Sequence, residues 1–213
     1  MVVQGGYRNQ FALFGRCMMQ RMAVLLSGSG RTLDNFHDRI EDGSLQAEIK
    51  VVASNSKDAL GLEKARNYGY PAFHAAGNAA TNEILQDHDI NLICLAGYLK
   101  LYEPPAALKR NVLNIHPALI PSFCGDGFYG MRVHRAVHAK GCKVSGCTVH
   151  FANEAYDEGP IVVQKCVSLV DTDTPDDIAS KVFEMECLAF PEAINLVDEK
   201  GVDYFWRRVE NVS

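Results

Sequence analysis

The run Val112 to Ile115 closes on Asn114-Ile115-His116-Pro117, which sets an amide and an imidazole two residues apart. If the run is a strand, alternate side chains share a face, so Asn114 and His116 point the same way. An amide N–H beside an imidazole that can donate when protonated suits a developing oxyanion. A histidine that caps the strand and bonds local backbone would show the same spacing, and spacing alone does not separate the two. Ligands of open α/β sheets bind in the crevice outside the carboxyl ends of the strands, where this pair would stand.

Two other segments carry chemistry. Ser27-Gly28-Ser29-Gly30-Arg31-Thr32 follows the apolar run Met22 to Leu26 and precedes a helical pattern. Such a turn exposes backbone N–H groups at the positive end of a helix, a cradle for a small phosphate, or it is simply a tight turn. It has neither the Lys-Ser/Thr ending of a P-loop nor the third glycine of a dinucleotide fingerprint. The acidic loop Asn153-Glu154-Ala155-Tyr156-Asp157-Glu158-Gly159-Pro160 is either solvated or holds a carboxylate against His116, which would orient the ring and raise its pKa. His150, on the strand before that loop, is expected to stand behind the groups that touch substrate. His134 and His138, four apart on a predicted helix, lack an HExxH pattern or a third ligand, so they read as a solvated helix face rather than a metal pair.

The elements that must position these groups alternate. Apolar strands are expected at Met22–Leu26, Ile49–Ala53, Leu92–Ala96 and Val112–Ile115, with a brief one at Pro71–Phe73. Helical spacing covers Thr32–Glu41, Leu60–Tyr68, Thr81–Asp87 and Met131–Ala139. Strands buried on both faces and separated by helices indicate a parallel α/β sheet. Val144–Phe151 and Ile161–Val170, joined by the short acidic loop, are expected to pair antiparallel. Thr174-Pro175-Asp176-Asp177 starts a last helix, with a capping threonine, proline in the first turn and acids at the positive end of the dipole. Pro191 is expected to kink it.

The chain has 213 residues, 47% hydrophobic and 22% charged, which suits one large domain. A formal net charge of −5 argues against a nucleic-acid partner. No apolar run is long enough for a membrane span. The seven cysteines are odd in number and show no metal or disulfide spacing, so reduced thiols in a cytoplasmic protein are expected. Residues 1–21, with Arg8, Arg16 and Arg21 and no acid, read as a disordered extension, whether a ragged start or a transit peptide, before a single domain over residues 22–213.

Taken in order, Val24-Leu25-Leu26-Ser27-Gly28-Ser29-Gly30, Leu95-Ala96-Gly97-Tyr98, Leu113-Asn114-Ile115-His116-Pro117-Ala118-Leu119-Ile120-Pro121, and Ser145-Gly146-Cys147-Thr148-Val149-His150-Phe151 leading to Tyr156-Asp157-Glu158-Gly159-Pro160 resemble the phosphoribosylglycinamide formyltransferases of the folate-dependent formyltransferase family. The resemblance covers about residues 22 to 200. It implies a Rossmann-like, mostly parallel, open twisted sheet with antiparallel strands near the C-terminal end. It also implies 10-formyltetrahydrofolate as co-substrate, no metal, small-molecule substrates only, and a monomer or homodimer. By the same resemblance Asn114, His116 and Asp157 are catalytic. Gly30, Arg31, Thr32, Phe183, Glu184, Met185 and Glu186 hold the phosphorylated acceptor. Leu99, Lys100, Leu101, Tyr102, Asn114, Asn153, Glu154, Ala155, Tyr156 and Asp157 surround the folate.

The chain departs from that pattern in three places. Gly30-Arg31-Thr32 stands where Gly-Ser-Asn is common, and no counterpart of a folate-contacting arginine occurs between His74 and Leu92. The loop Ser122 to Gly130 is longer and more aromatic. Competing expectations are methionyl-tRNA formyltransferase, formyltetrahydrofolate hydrolase and a non-catalytic folate-binding module. The first carries an extra C-terminal domain and the second a regulatory domain before the catalytic one.

Overall fold

The computed structural model describes residues 19–210, so all but the last three residues of the extension expected over 1–21, Cys17 among them, lie outside the described residues, and Gln20 and Arg21 belong to the first strand instead. Seven strands form one sheet in the order β3-β2-β1-β4-β5-β6-β7. They are β1 Gln20–Leu26, β2 Ala47–Ser54, β3 Ala72–His74, β4 Leu92–Leu95, β5 Val112–His116, β6 Val144–Phe151 and β7 Ile161–Ser168. The first five run parallel, whereas β6 is antiparallel to β5 and β7 to β6. The helices are α1 Arg31–Glu41, α2 Leu60–Asn67, α3 Asn78–Gln86, α4 Met131–Ala139, α5 Pro175–Lys200 and α6 Val202–Glu210. This is the α/β sheet that the alternating pattern predicts.

Strand geometry sends successive side chains to opposite faces, and β1 divides accordingly. Met22, Val24 and Leu26 enter the larger core with α1, α4 and α5, where Phe36 meets Phe190 edge-on at 5.0 Å. Ala23 and Leu25 face the smaller core with Leu85 of α3, Tyr98 and Tyr102. Strand β1 begins two residues before its apolar run because Gln20 and Arg21 pair with Ala47 and Glu48, and the Arg21 amide donates to Asn91 Oδ1. Polar side chains at a strand's entry hide it from a hydrophobicity pattern.

Helix α5 starts as its sequence predicts, with a reciprocal cap between Thr174 and Asp177 at 3.2 and 2.9 Å. It then continues to Lys200 with Pro191, the residue expected to kink it, buried inside the helix. The sequence reading ends at that helix and misses α6, although Val202, Phe205, Trp206 and Val209 recur at helical spacing. Phe205 and Trp206 pack on Phe151 at 5.8 and 5.9 Å, and the Trp206 indole donates to the Arg110 carbonyl, so α6 braces the ends of β5 and β6.

Candidate active site

At the carboxyl ends of β1, β4 and β5 lies a cleft of about 530 Å³. It opens where the strand order turns from β1 toward both β2 and β4, the switch point at which such sheets bind ligands. The ends of β1 and β4 are tied together by the Ser27 amide to the Gly97 carbonyl at 3.1 Å, and the Leu99 amide to Ser27 Oγ at 3.0 Å.

One end of the cleft is the glycine turn. Gly30 caps α1 at φ 72°, a conformation that favours glycine, and offers no capping side chain. A β-carbon there would also lie 2.6 Å from Gly61 Cα, so α2 packs directly on the turn. The first N–H groups of α1 are left uncapped by any side chain, as an anion site requires. The Arg31 guanidinium lies 4.0 Å over the Phe183 ring, which brings a cation to this end. Phe183 and Glu186, three apart on α5, both line the cleft. Glu184 and Met185 between them do not: Glu184 is exposed, and Met185 packs on the core. Helical periodicity explains the split, since only residues three or four apart share a face.

Burial pushes the Glu186 carboxyl up to about 7, against the Arg31 guanidinium, which pulls it down. A carboxyl raised in the fold contributes its stability below its unfolded pKa and loses it as pH climbs through the folded value. Thermal melts of Glu186→Gln and the wild type are therefore expected to diverge between pH 5 and 8. The variant gains relative stability at the alkaline end, and a constant difference would refute the buried charge.

The other end gathers Asn114, His116, His150 and Asp157. Antiparallel pairing sets Asn114 opposite His150. Asn114 Nδ2 donates to His150 Nε2 at 3.1 Å and stands 3.5 Å from Asp157 Oδ1. His150 Nδ1 donates to the Phe151 carbonyl at 2.9 Å, which leaves Nε2 as an acceptor in the neutral ring. His116, 3% exposed, has its Nδ1 3.4 Å from Asp157 Oδ2, while its Nε2 donates to the Phe123 carbonyl at 2.8 Å. The Gly125 amide donates to Asp157 Oδ2 at 2.9 Å. Asp157 itself adopts φ 61°, a left-handed conformation that aspartate tolerates better than most residues.

The electrostatics are opposed. Burial lowers the His116 pKa, and the Asp157 carboxylate and Phe123 carbonyl offset this only in part. For Asp157, burial acts upward, but the adjoining His150 and His116 rings and the Gly125 amide together hold the carboxyl below its usual range. A carboxylate thus stays ionised beside a ring whose charged form has acceptors on both nitrogens.

Between these ends, Leu99, Lys100, Leu101, Tyr102, Asn153, Ala155 and Tyr156 line the cleft. Glu154 does not, and pairs instead with Lys109 at 2.5 Å. The sequence placed His150 behind the reacting groups; it is hydrogen-bonded to Asn114, and the β5–β6 register was the only signal for that. Phe123 O and Gly125 N are backbone groups with no side-chain signature. His134, read from sequence as solvated, is 5% exposed and lines the cleft, because it sits beside Val133 and Val137 on the inward arc of α4. His138 is exposed. Among the described residues, no group of three or more His, Cys, Asp or Glu side chains could hold a metal ion.

The formyl transferase family model matches residues 20–194. A phosphoribosylglycinamide formyltransferase of Arabidopsis thaliana, named as chloroplastic, is 36% identical over 200 residues, which cover 88% of this chain and 68% of that protein. The trifunctional purine biosynthetic protein adenosine-3 of Bos taurus is 35% identical over 93% of this chain, which spans only 20% of its length. Among solved structures, glycinamide ribonucleotide transformylase 1 of Symbiobacterium toebii superimposes with a TM-score of 0.78 at 39% identity, covering 85% of this chain and 88% of that one.

Proposed function

Because the chain belongs to the formyl transferase family, we infer that it is a phosphoribosylglycinamide formyltransferase of purine biosynthesis, which moves a formyl group from a reduced folate to the amine of 5'-phosphoribosylglycinamide. The observation that carries this reading is the meeting of Asn114, His116 and Asp157 at one end of a cleft whose other end is the uncapped start of α1 with Arg31. The donor is 10-formyltetrahydrofolate. The exposed Leu99 and Leu101, with Tyr102 and Tyr156, suit a planar heterocycle, and Lys100 suits its carboxylate tail.

The transfer is direct. The amine attacks the formyl carbon, and the carbonyl oxygen becomes an oxyanion. Asn114 Nδ2 has one N–H on His150 and a second only loosely held at 3.5 Å from Asp157, so the second turns to the oxyanion at little cost. Asp157, kept ionised, accepts the amine proton, directly or through a water, and shares it with His116. The charged ring then donates from Nε2, exchanging the Phe123 carbonyl for the oxyanion. Collapse of the tetrahedral adduct returns the proton to the departing folate nitrogen. Preorganised donors of this kind cost no reorganisation as charge develops. No metal is assigned a step.

The enzyme acts on small molecules rather than nucleic acid, as a monomer or homodimer in the cytoplasm; the net charge of −5 supports the first of these. Among the described residues no helix is long and apolar enough to cross a membrane. The decisive assay follows tetrahydrofolate release from 10-formyltetrahydrofolate with and without the phosphorylated glycinamide. Release only with the amine is the expected result. Equal release without it would make the protein a hydrolase, and none in either case would leave a binding module.

A further inference from the structure

His134 is a buried titratable group at this cleft that the reaction above does not use. It lies in the first turns of α4, is 5% exposed and lines the cleft. Its Nδ1 is sealed from solvent and has no hydrogen-bond partner. Nε2 is not sealed and bonds no described protein group, so it is the nitrogen open to the cleft. A buried N–H without an acceptor is among the rarest groups in folded proteins. The ring hydrogen therefore belongs on Nε2, leaving only a lone pair in the sealed position. Burial, reinforced by the His116 ring nearby, lowers the pKa, so the ring is neutral near pH 7.

Its place in the cleft narrows what it can meet. His116 is its electrostatic neighbour on one side. On the other, α4 packs against α5, whose Ala179 and Phe183 line the same cleft, and Phe183 carries Arg31. His134 thus stands between the reacting groups and the end assigned to the phosphate. We propose that His134 contacts substrate, its neutral imidazole donating a hydrogen bond from Nε2 to the carboxamide oxygen of the acceptor. That oxygen lies between the acceptor's amine and its phosphoribosyl group, and a donor needs an acceptor atom, which excludes the amine lone pair that must attack. The proposal rests on the acceptor assigned above.

Steady-state kinetics of the wild type, His134→Phe and His134→Gln, with each substrate varied, test it. Phe fills the space without a donor, whereas the Gln side-chain amide keeps an N–H at similar reach. The acceptor KM is expected to rise about tenfold in His134→Phe, the worth of one neutral hydrogen bond, and to recover largely in His134→Gln. The formyl-folate KM should stay within about twofold in both. An unchanged acceptor KM, or a parallel rise for both substrates that Gln does not rescue, overturns the proposal in favour of a packing role. If His134→Phe fails to fold, ¹⁵N spectra of the wild-type imidazoles replace it. An Nε2–H tautomer whose signal shifts on saturation with the acceptor supports the contact, and an unmoved signal refutes it. Wild-type turnover is the control: its absence overturns the acceptor reading and this proposal together, whereas normal turnover with indifferent variants overturns this proposal alone.

Discussion

Asp157→Asn is expected to lower turnover at least about 10²-fold while the protein stays folded, and His116→Ala to do the same. The asparagine variant is the more informative. Position 157 sits at φ 61°, where asparagine is as well tolerated as aspartate, so the loop keeps its path. The amide oxygen can still accept from Gly125 as Oδ2 does now. What disappears is the negative charge beside His116 Nδ1 and the base that receives the amine proton. With burial already lowering the His116 pKa, removal of its main opposing influence leaves the ring neutral through the catalytic range. The loss should fall on kcat, with both KM values close to wild type, and thermal melting should show an unaltered fold. Turnover within a few-fold of wild type in either variant would remove that residue from the mechanism.

The second large effect is expected at a residue with no side chain. A β-carbon on Gly159 would lie 1.8 Å from the Phe151 carbonyl oxygen, well inside any tolerable contact. That oxygen accepts from His150 Nδ1 and so keeps the His150 Nε2 lone pair directed at Asn114. The Phe151 amide donates to Pro160, which ties the loop exit to the same strand end. Gly159→Ala therefore pushes the acidic loop away from β6 and moves Asp157 relative to His116. Overpacking of this kind costs about 1–3 kcal/mol of stability. A displacement near 1 Å at a reacting group costs about 10²-fold in rate. Melting temperature and kcat should fall together, and a variant with wild-type kcat would show that the loop tolerates the shift. Unlike Asp157→Asn, this change alters no charge, so the pair separates loss of the carboxylate from loss of its position.

Much of the fold was legible because it is built from local periodicity. Doubly buried strands such as Leu92–Leu95 read as unbroken apolar runs, and amphipathic helices such as α1 read through Leu33 and Phe36. The edges of elements were harder: Gln20 and Arg21 belong to β1 through pairing with β2, a contact with no local signature. Helix α6 carried the right spacing, but it is a short helix that follows the one read from sequence as the last.

The site divides along the same physical line. Asn114 and His116 share a face because strands alternate, Gly30 must be glycine because its turn needs a positive φ, and Phe183 and Glu186 share a face because helices repeat near 3.6; each follows from nearest neighbours along the chain. Asp157 meeting Asn114 across 43 positions, the Phe123 carbonyl and Gly125 amide closing on the pair, and His134 turning inward do not. Those depend on the register of β5 against β6 and on which surfaces of α4 and the 122–130 loop are covered. Residue identity determined which chemistry this protein can offer. Only packing of distant segments decided which of those groups face the same carbon, because burial and long-range pairing are properties of the whole fold.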